Sequence, residues 1–433
     1  MNNIIFQDEV KSVILLNDFE KCLNKEILCK MCDYNIIYYE LDTYNPNIIY
    51  LPDNFKEIHF YKNFNDKIVK LPKGIKKIFF GNNFNKIVDF IHEGVIEVHF
   101  GFEFNSNIFN LPESLLILNL GLIYDKPLPI LPKYLKILDL GCKYNLELNN
   151  LPENLEELFI SDSYEKSIND LPKNIRKITF GDSTSNYKLS LDNLPSNLKE
   201  LILTDNNLPI DNLPIGLENL IIGNNFYQTI DLLPCTLKKL SIQFDFNHPV
   251  NNLPNSLTHL HLSDDFNREI NNLPDSLLYL RLGEKFNQSI DNLPENLIFL
   301  YIWGDFDLPI NNLPKKLKYL IIDGIFNQKI DNLPDSLEYL SIGFEVCFDN
   351  TGINIFSLSN NDYELSISNY DSFRKRQLIM DNLINSSIDS NFNFNKKIKK
   401  LPNNLQNLVL HPNYSKNLIP KKYHHKLQQF YKS

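Results

Sequence analysis

The 433-residue sequence lacks long hydrophobic runs, a secretory leader and an excess of basic residues. No stretch approaches eighteen consecutive apolar residues, so no transmembrane helix or other membrane attachment is expected. Its start, Met1 to Phe6 followed by Asp8 and Glu9, has no basic region before a long apolar one and therefore does not resemble a secretory signal. The formal net charge of -10 and pI near 5.5 argue against nucleic-acid binding as the main activity.

Cysteine pairs and catalytic motifs are also missing. The six cysteines are scattered, which favours a reducing, intracellular location. Cys29 and Cys32 form C-x-x-C with Cys22 upstream, but no fourth ligand stands at zinc spacing, so these cysteines are expected in a helical core and not at a metal. There is no phosphate-binding G-x-x-x-x-G-K and no G-x-S-x-G. We expect neither an enzyme nor a cofactor.

What the chain does have is a Leu-Pro pair that returns about every twenty residues. A fixed period of this length indicates stacked coils, each too small to bury a core alone. A solenoid grows without a second core, so the length does not require two or three globular domains. The pairs begin at Leu51, Leu71, Leu111, Leu131, Leu151, Leu171, Leu194, Leu213, Leu233, Leu253, Leu273, Leu293, Leu313, Leu333 and Leu401.

One repeat, residues 277–296, shows how a coil is built. Leu277, Leu280 and Leu282 give L-x-x-L-x-L, and the alternation at Leu280–Leu282 predicts a short half-buried strand. Twenty residues leave no room for a full helix, so the return path is expected to be extended or in turns. Pro294 cannot donate a ladder hydrogen bond and belongs on that return path. Phe286, Ile290 and Leu293 are expected to point inward with the leucines.

Asparagine recurs at two positions of the repeat. We predict that stacked amides satisfy buried turn backbone groups of neighbouring coils, with solvated, merely compositional asparagines as the alternative. On this hypothesis Asn292 matters to stability and Asp291 is solvated. The two sets are Asn193, Asn212, Asn252, Asn272, Asn292, Asn312 and Asn332, and Asn247, Asn267, Asn287 and Asn327.

These residues carry a family resemblance. L-x-x-L-x-L with a Leu-Pro turn resembles a short leucine-rich repeat. The added elements, as in Phe266-Asn267 and the run from Ile270 to Pro274, resemble more closely the FNIP repeat of social amoebae and giant viruses that infect amoebae. The resemblance covers residues 48 to about 343 and implies a solenoid, right-handed like leucine-rich repeats. If the source is a virus, it implies the host cytoplasm.

The repeat pattern predicts four regions. Residues 1–47 form an N-terminal cap of mixed helix and strand, and residues 48–343 form the FNIP- and leucine-rich-repeat-like solenoid with short parallel strands on one face. Residues 344–400 contain degenerate repeats with an insertion, and residues 401–433 contain the last repeat and a C-terminal cap.

The N-terminal region has two interpretations. From Asn17-Asp18, a plausible N-cap, Phe19, Leu23, Ile27 and Met31 follow near helical spacing, which predicts a helix that covers the end of the solenoid. The alternative is a degenerate F-box, a helical module that the resemblance implies in this position and that would bind a Skp1-type adaptor. The segment has no Leu-Pro start typical of an F-box.

The strand face offers the candidate partner site. Residues between the inward leucines stack into columns about 4.8 Å apart. Early coils carry charge here, at Glu57, Lys77 and Glu97, whereas later coils carry aromatic side chains and arginine, the composition of binding hot spots. Mutual stabilisation of neighbouring strands is the other interpretation. The candidates are His259, His261, Tyr279, Arg281, Phe299, Tyr301, Trp303, Tyr319 and Tyr339, and the two histidines alone do not complete a metal site.

The sequence therefore predicts a non-catalytic scaffold that binds a protein on this strand face. Two alternatives remain open: a substrate-recruiting subunit of a ubiquitin ligase, and a structural or virion component.

Overall fold

The computed structural model describes residues 3–181, 190–205, 207–343, 394–411 and 414–428. Its chain divides into two units. Unit 1 comprises Met1–Phe246 and Asn252–Leu257, and unit 2 comprises Asn247–Asn251 and Thr258–Ser433. Most of the insertion predicted within 344–400 lies outside the described residues.

Unit 1 is a parallel solenoid. β1 pairs antiparallel with β2, and from β2 onward each strand pairs parallel with the next. The strands in its described residues are β1 (Ile4–Gln7), β2 (Ser12–Leu15), β3 (Ile36–Tyr39), β4 (Glu57–Phe60), β5 (Lys77–Phe79), β6 (Glu97–His99), β7 (Ile117–Asn119), β8 (Ile137–Asp139), β9 (Glu157–Ile160), β10 (Lys177–Phe180), β11 (Glu200–Asp205), β12 (Asn219–Asn224) and β13 (Lys239–Ile242).

Unit 2 continues the same pattern, with every strand parallel to the next. Leu280 pairs with Leu300, and Leu300 with Leu320, so equivalent positions of successive coils lie side by side. The predicted register is therefore confirmed. The strands in its described residues are β14 (His259–His261), β15 (Tyr279–Leu282), β16 (Phe299–Ile302), β17 (Tyr319–Ile322), β18 (Tyr339–Ile342), β19 (Asn407–Leu410) and β20 (Leu427–Gln428).

Helix is sparse in the described residues. Each coil is too short for one, as the sequence predicts. Among the described residues the one α-helix, α1, spans Lys25–Met31, and the 3-10 helices span Phe19–Cys22, Pro46–Tyr50, Lys416–Leu418 and Lys421–Lys426.

The inward leucines form the core. Leu277, Leu280 and Leu282 are fully buried, and Phe286 and Ile290 from the return segment join them. The phenylalanines stack from coil to coil, with ring centroids 6.2 Å apart for Phe266 and Phe286. Each coil therefore supplies one wall of the next coil's core.

Proline stands at the turn that leads from the return segment into the next strand. The carbonyl of Pro274 accepts a hydrogen bond from Leu277 N–H, and that of Pro294 from Leu297 N–H, each at 3.0 Å. The turn uses only the proline carbonyl, so the missing N–H costs nothing here. This explains why Leu-Pro tolerates repetition beside a parallel sheet.

The asparagine ladder exists but is exposed. The Oδ1 atom of Asn267 accepts from Asn287 N–H at 3.1 Å, and that of Asn247 accepts from Asn267 N–H at 3.0 Å. Asn292 instead donates to the side chain of Asn271, and Asp291 accepts from Asn312. The prediction that these turns are buried was wrong, because all these amides lie on the outside of the return segments.

The N-terminal helix begins later than predicted. Asp18 has a left-handed backbone with φ 61 and makes no side-chain cap, and the short 3-10 helix after it ends at an extended Leu23. Asn24 then caps α1, accepting from Ile27 N–H at 2.9 Å. Cys29 and Cys32 are exposed, so their predicted place in a helical core was also wrong.

Candidate protein-binding surface

Strand register places the sequence-predicted candidates in two columns on unit 2. We call His259, Tyr279, Phe299, Tyr319 and Tyr339 the outer column, and His261, Arg281, Tyr301, Ile321 and Ser341 the inner column. Both are brought together by direct pairing of equivalent residues along β14–β18. Trp303 follows directly after β16, beside the inner column.

The outer column is a ladder of rings. Centroid separations are 4.3 Å for His259 and Tyr279, 6.0 Å for Tyr279 and Phe299, and 6.4 Å for Phe299 and Tyr319. Tyr319 and Tyr339 follow at 6.5 Å. These spacings lie in the range of favourable aromatic contact, so the rings stabilise one another whether or not a partner binds.

Part of this surface is more buried than the sequence predicts. Phe299 and Tyr301 are only 8% and 9% exposed, and with Ile321 they form a small cluster on the strand face. The expectation that these two aromatic side chains would be exposed was wrong, because Tyr279 and Tyr319 flank Phe299, and Arg281 and Ile321 flank Tyr301. Tyr279, Tyr319, Tyr339 and Trp303 are partly buried against this cluster and keep some exposed surface.

Arg281 lies flat against the cluster. Its guanidinium carbon is 5.2 Å from the ring centroid of Tyr301, a cation–π contact. Burial raises the pKa of Asp264, and the neighbouring Arg281 and Trp303 oppose that rise. Burial, with Arg281 as a second cause, lowers the pKa of His261 to about 3, so this imidazole is neutral at ordinary pH.

Acidic side chains follow the strands on one edge of this face. Lys285 Nζ is 2.5 Å from Asp265 Oδ1, and Glu284 and Asp305 add to the negative field at Lys285. The hydrogen bond that Lys285 donates to Asp265 is the main cause of the raised pKa of Lys285. We call Asp264, Asp265, Glu284 and Asp305 the acidic edge. The sequence analysis missed it, although the four carboxylates fall at neighbouring positions of successive repeats.

The strand face of unit 1 carries paired charges at β5–β6, beside the stacked rings of Tyr38, His59, Phe79 and His99. Glu97 is 6% exposed, and its carboxylate lies 2.8 Å from both Lys77 Nζ and His99 Nε2. Burial acts to raise the pKa of Glu97, but hydrogen bonds from His99 and Lys77 outweigh it and lower the pKa. Glu97 therefore belongs to a buried polar cluster, and the view of it as an outward-facing charge was wrong.

Exposed apolar side chains concentrate elsewhere, on the return segments of unit 1. Ile130 is 93% exposed, Val69 70% and Phe109 60%. They occupy positions around the Leu-Pro pair where other repeats carry asparagine or aspartate. This departure from the pattern was visible in the sequence but was not singled out.

A polar groove of about 470 Å³ also lies on unit 1, lined by Asn154, Glu156, Asn174, Arg176, Asn197 and Lys199. Glu156 pairs with Lys136, and Lys199 with Glu218, so two of its charges are already neutralised by neighbouring coils.

Two further kinds of site are not found in the part of the chain that the structure describes. Histidine, cysteine and carboxylate side chains do not gather there in a group of three that could hold a metal ion. Among the described helices, none has the length and apolar character that crossing a bilayer requires.

Comparison with known proteins agrees with this architecture. The FNIP repeat model matches residues 166–206, 246–285 and 307–345. No curated protein sequence matches the chain significantly. The solved structure of CroV588, titled a novel circular LRR protein, is 25% identical with a TM-score of 0.56, covering 99% of this chain and 79% of that one.

Two bacterial structures are more distant. YopM from Yersinia enterocolitica is 21% identical over 73% of this chain and 80% of its own, with a TM-score of 0.41. A leucine-rich-repeat protein of Leptospira interrogans is 16% identical over 74% and 81%, with a TM-score of 0.37. The repeat match and the fold together show that the chain carries FNIP repeats that fold as a leucine-rich-repeat-like parallel solenoid.

Proposed function

We propose that this protein is a non-catalytic scaffold that binds a protein partner on the strand face of unit 2. Solenoids of this kind typically serve as interaction surfaces, since stacking coils builds a wide, regular face without a catalytic cleft. Within that face, the outer and inner columns are the site.

The observation that carries the proposal is that a buried apolar cluster lies side by side with partly exposed rings on the strand face. Phe299, Tyr301 and Ile321 are fixed by packing, while Tyr279 and Tyr319 keep accessible surface. Binding hot spots are enriched in tyrosine, tryptophan and arginine held in well-packed surroundings, because such side chains lose little entropy on binding. Unit 1 also has stacked rings at β3–β6, from Tyr38 through His59 and Phe79 to His99, but they lie beside charged side chains and Glu97 pairs with both Lys77 and His99.

Site-specific photocross-linking tests the location. A photoreactive phenylalanine analogue at Tyr319 should cross-link to a partner protein in extracts of the source cell. The same analogue at Phe109, which is 60% exposed on a return segment of unit 1, is the matched control and should not. Cross-linking at Phe109 without cross-linking at Tyr319 would place the partner elsewhere and overturn the proposal.

The ligase alternative gains no support from the N-terminal region. Its described residues form β1–β3 and a seven-residue α1, whereas an F-box is a helical module. Binding of a Skp1-type adaptor that depends on residues 1–50 would revive this alternative. The virion alternative stays a prediction, which abundance in purified particles would test.

An intracellular location is proposed with the scaffold role. Among the described cysteines, Cys22, Cys29, Cys32 and Cys235 are free thiols, as expected for a reducing compartment.

A further inference from the structure

We infer that the partner presents a basic segment to this face, with its cationic side chains on the acidic edge and its apolar surface on the outer column. The inference rests on the proposed function and adds the chemistry of the partner. It follows from the charges that border the aromatic ladder and from the ring faces still open to a cation.

The charge along this border is unbalanced. The acidic edge contributes four carboxylates, Asp264, Asp265, Glu284 and Asp305, against Lys285 and Arg281. Lys285 is committed to Asp265 at 2.5 Å, and Arg281 lies over Tyr301. Glu284 and Asp305 are both exposed and form no ion pair within 4 Å among the described residues. Carboxylates in this state are available to a cationic partner.

The opposite border of the ladder carries less charge close to the strands. The residues that directly precede the strands there are Thr258, Leu278 and Ile298, followed by Lys318 and Glu338, which pair at 2.9 Å. Asp275 and Glu295 come earlier, in the turns before the strands. A cationic segment beside the ladder would therefore meet carboxylates mainly on the side that follows the strands. This asymmetry gives the partner a defined position and not merely a general attraction to a chain of net charge -10.

The aromatic ladder complements the same cations. Arg281 already shows that a guanidinium lies favourably over a tyrosine of this face. Tyr279 and Tyr319 flank the buried Phe299, and their partly exposed rings can receive the apolar stem or the head of a lysine or arginine. An acidic partner would instead be repelled by the four carboxylates of the acidic edge.

The behaviour of Asp264 agrees with a negative field at this edge. Burial is the main cause of its raised pKa, and the carboxylates of Glu284 and Asp265 raise it further. A cation placed beside these groups would relieve their repulsion.

Two labelled synthetic peptides of equal length provide the probe, one alternating lysine with leucine and tyrosine, the other carrying glutamate at each lysine position. Fluorescence anisotropy should show that the basic peptide binds and that added salt weakens it. The double variant Glu284→Lys/Asp305→Lys should weaken this binding about tenfold or more, since both contacts become repulsive.

The matched control keeps the same change in net charge. Asp275→Lys/Glu295→Lys alters two exposed carboxylates one coil apart on the turns before the strands. It should change affinity by less than about threefold, as expected for charges outside the contact. Equal effects of the two double variants, or tighter binding of the acidic peptide, would overturn the inference. All four substitutions are at exposed positions, and circular dichroism checks that the variants are folded.

Failure of this inference is distinguishable from failure of the proposed function. A partner that cross-links at Tyr319 but ignores Glu284→Lys/Asp305→Lys would leave the scaffold role intact and remove only its basic chemistry. A partner that cross-links only at Phe109 would overturn both the proposed function and the inference about a basic partner.

Discussion

At the scale of single residues, burial decides which side chains determine stability. Leu280 and Leu278 are two positions apart on the same segment, yet the first is fully buried and the second is not. Leu278 stands before the first residue of β15, next to Leu277, which fills the core, so the alternation that buries Leu280 and Leu282 does not extend to it.

Leu280→Ala should therefore destabilise the protein by about 2–5 kcal/mol, since it opens a cavity that the stacked coils cannot close. Leu278→Ala, the same chemical change at a partly exposed position, is the control and should cost far less. Chemical denaturation followed by circular dichroism measures both. Equal, small losses of stability in the two variants would show that Leu280 does not point into the core.

The two asparagine sets should also differ in how much stability is lost when one of their members is replaced. Asn267→Ala removes the acceptor of Asn287 N–H and of Gln288 Nε2, at 3.1 and 2.8 Å. Loss of these bonds should cost about 0.5–1.5 kcal/mol, towards the low end because water reaches the site. Asn292→Ala, which loses one exposed side-chain bond, should cost less, and similarly to Asp291→Ala. A larger effect from Asn292 would restore the buried ladder predicted from the sequence.

His261 should make stability depend on pH. Its pKa is lowered from 6.5 to about 3, chiefly by burial. Between those pH values the unfolded chain binds a proton that the folded chain does not. The free energy of unfolding should therefore fall as pH falls below 6.5, by up to about 1.4 kcal/mol per pH unit from this group.

Urea denaturation at pH 7, 6 and 5 measures this slope. His261→Asn should make it shallower, whereas His425→Asn, at an exposed position, should not. An unchanged slope in His261→Asn would contradict the burial of this imidazole.

At the scale of the coil, glycine marks where successive coils approach each other. A Cβ atom at Gly121 would lie 2.1 Å from the carbonyl oxygen of Gly101, and Gly121 has φ +76. Both the close approach and the backbone conformation exclude a larger residue without movement. Gly121→Val should destabilise unit 1 more than Gly216→Val, where the nearest atom is 3.5 Å away. Thermal unfolding of the two variants compares them, and equal melting temperatures would contradict the tight stacking.

The coil was predictable from sequence because its determinants are periodic. The core positions of Leu277, Leu280 and Leu282 recur at the same spacing in the neighbouring coils, and Pro274 recurs at the one turn that uses only its carbonyl. The N-terminal helix was less predictable. Asp18 and Asn24 are both good capping residues, and only backbone geometry selected Asn24.

The candidate site was predictable in position but not in exposure. Register along β14–β18 follows from the repeat, so the columns could be written down from the sequence. Burial of Tyr301, and of Glu97 on the other unit, depends on the sizes and charges of side chains in adjacent coils. Those lateral contacts have no signature within a single repeat.

At the scale of the whole molecule, one repeated coil carries surfaces of different chemistry. Unit 1 presents self-paired charge beside stacked rings at β3–β6, and unit 2 presents an aromatic ladder bordered by carboxylates. Because core positions stay constant while outward positions vary, such a chain changes its binding chemistry without changing its fold.

The affinity of the cross-linked partner for the Tyr319→Ala variant, compared with its affinity for the Phe109→Ala variant, decides whether the partner binds on the strand face of unit 2. Tyr319 is a partly buried residue of the outer column. Removing its ring should weaken binding by about 2 kcal/mol or more, while the circular dichroism spectrum stays unchanged. Phe109→Ala should leave the affinity as it was. Full affinity in Tyr319→Ala together with weakened binding in Phe109→Ala would contradict the assignment of the partner to the strand face of unit 2.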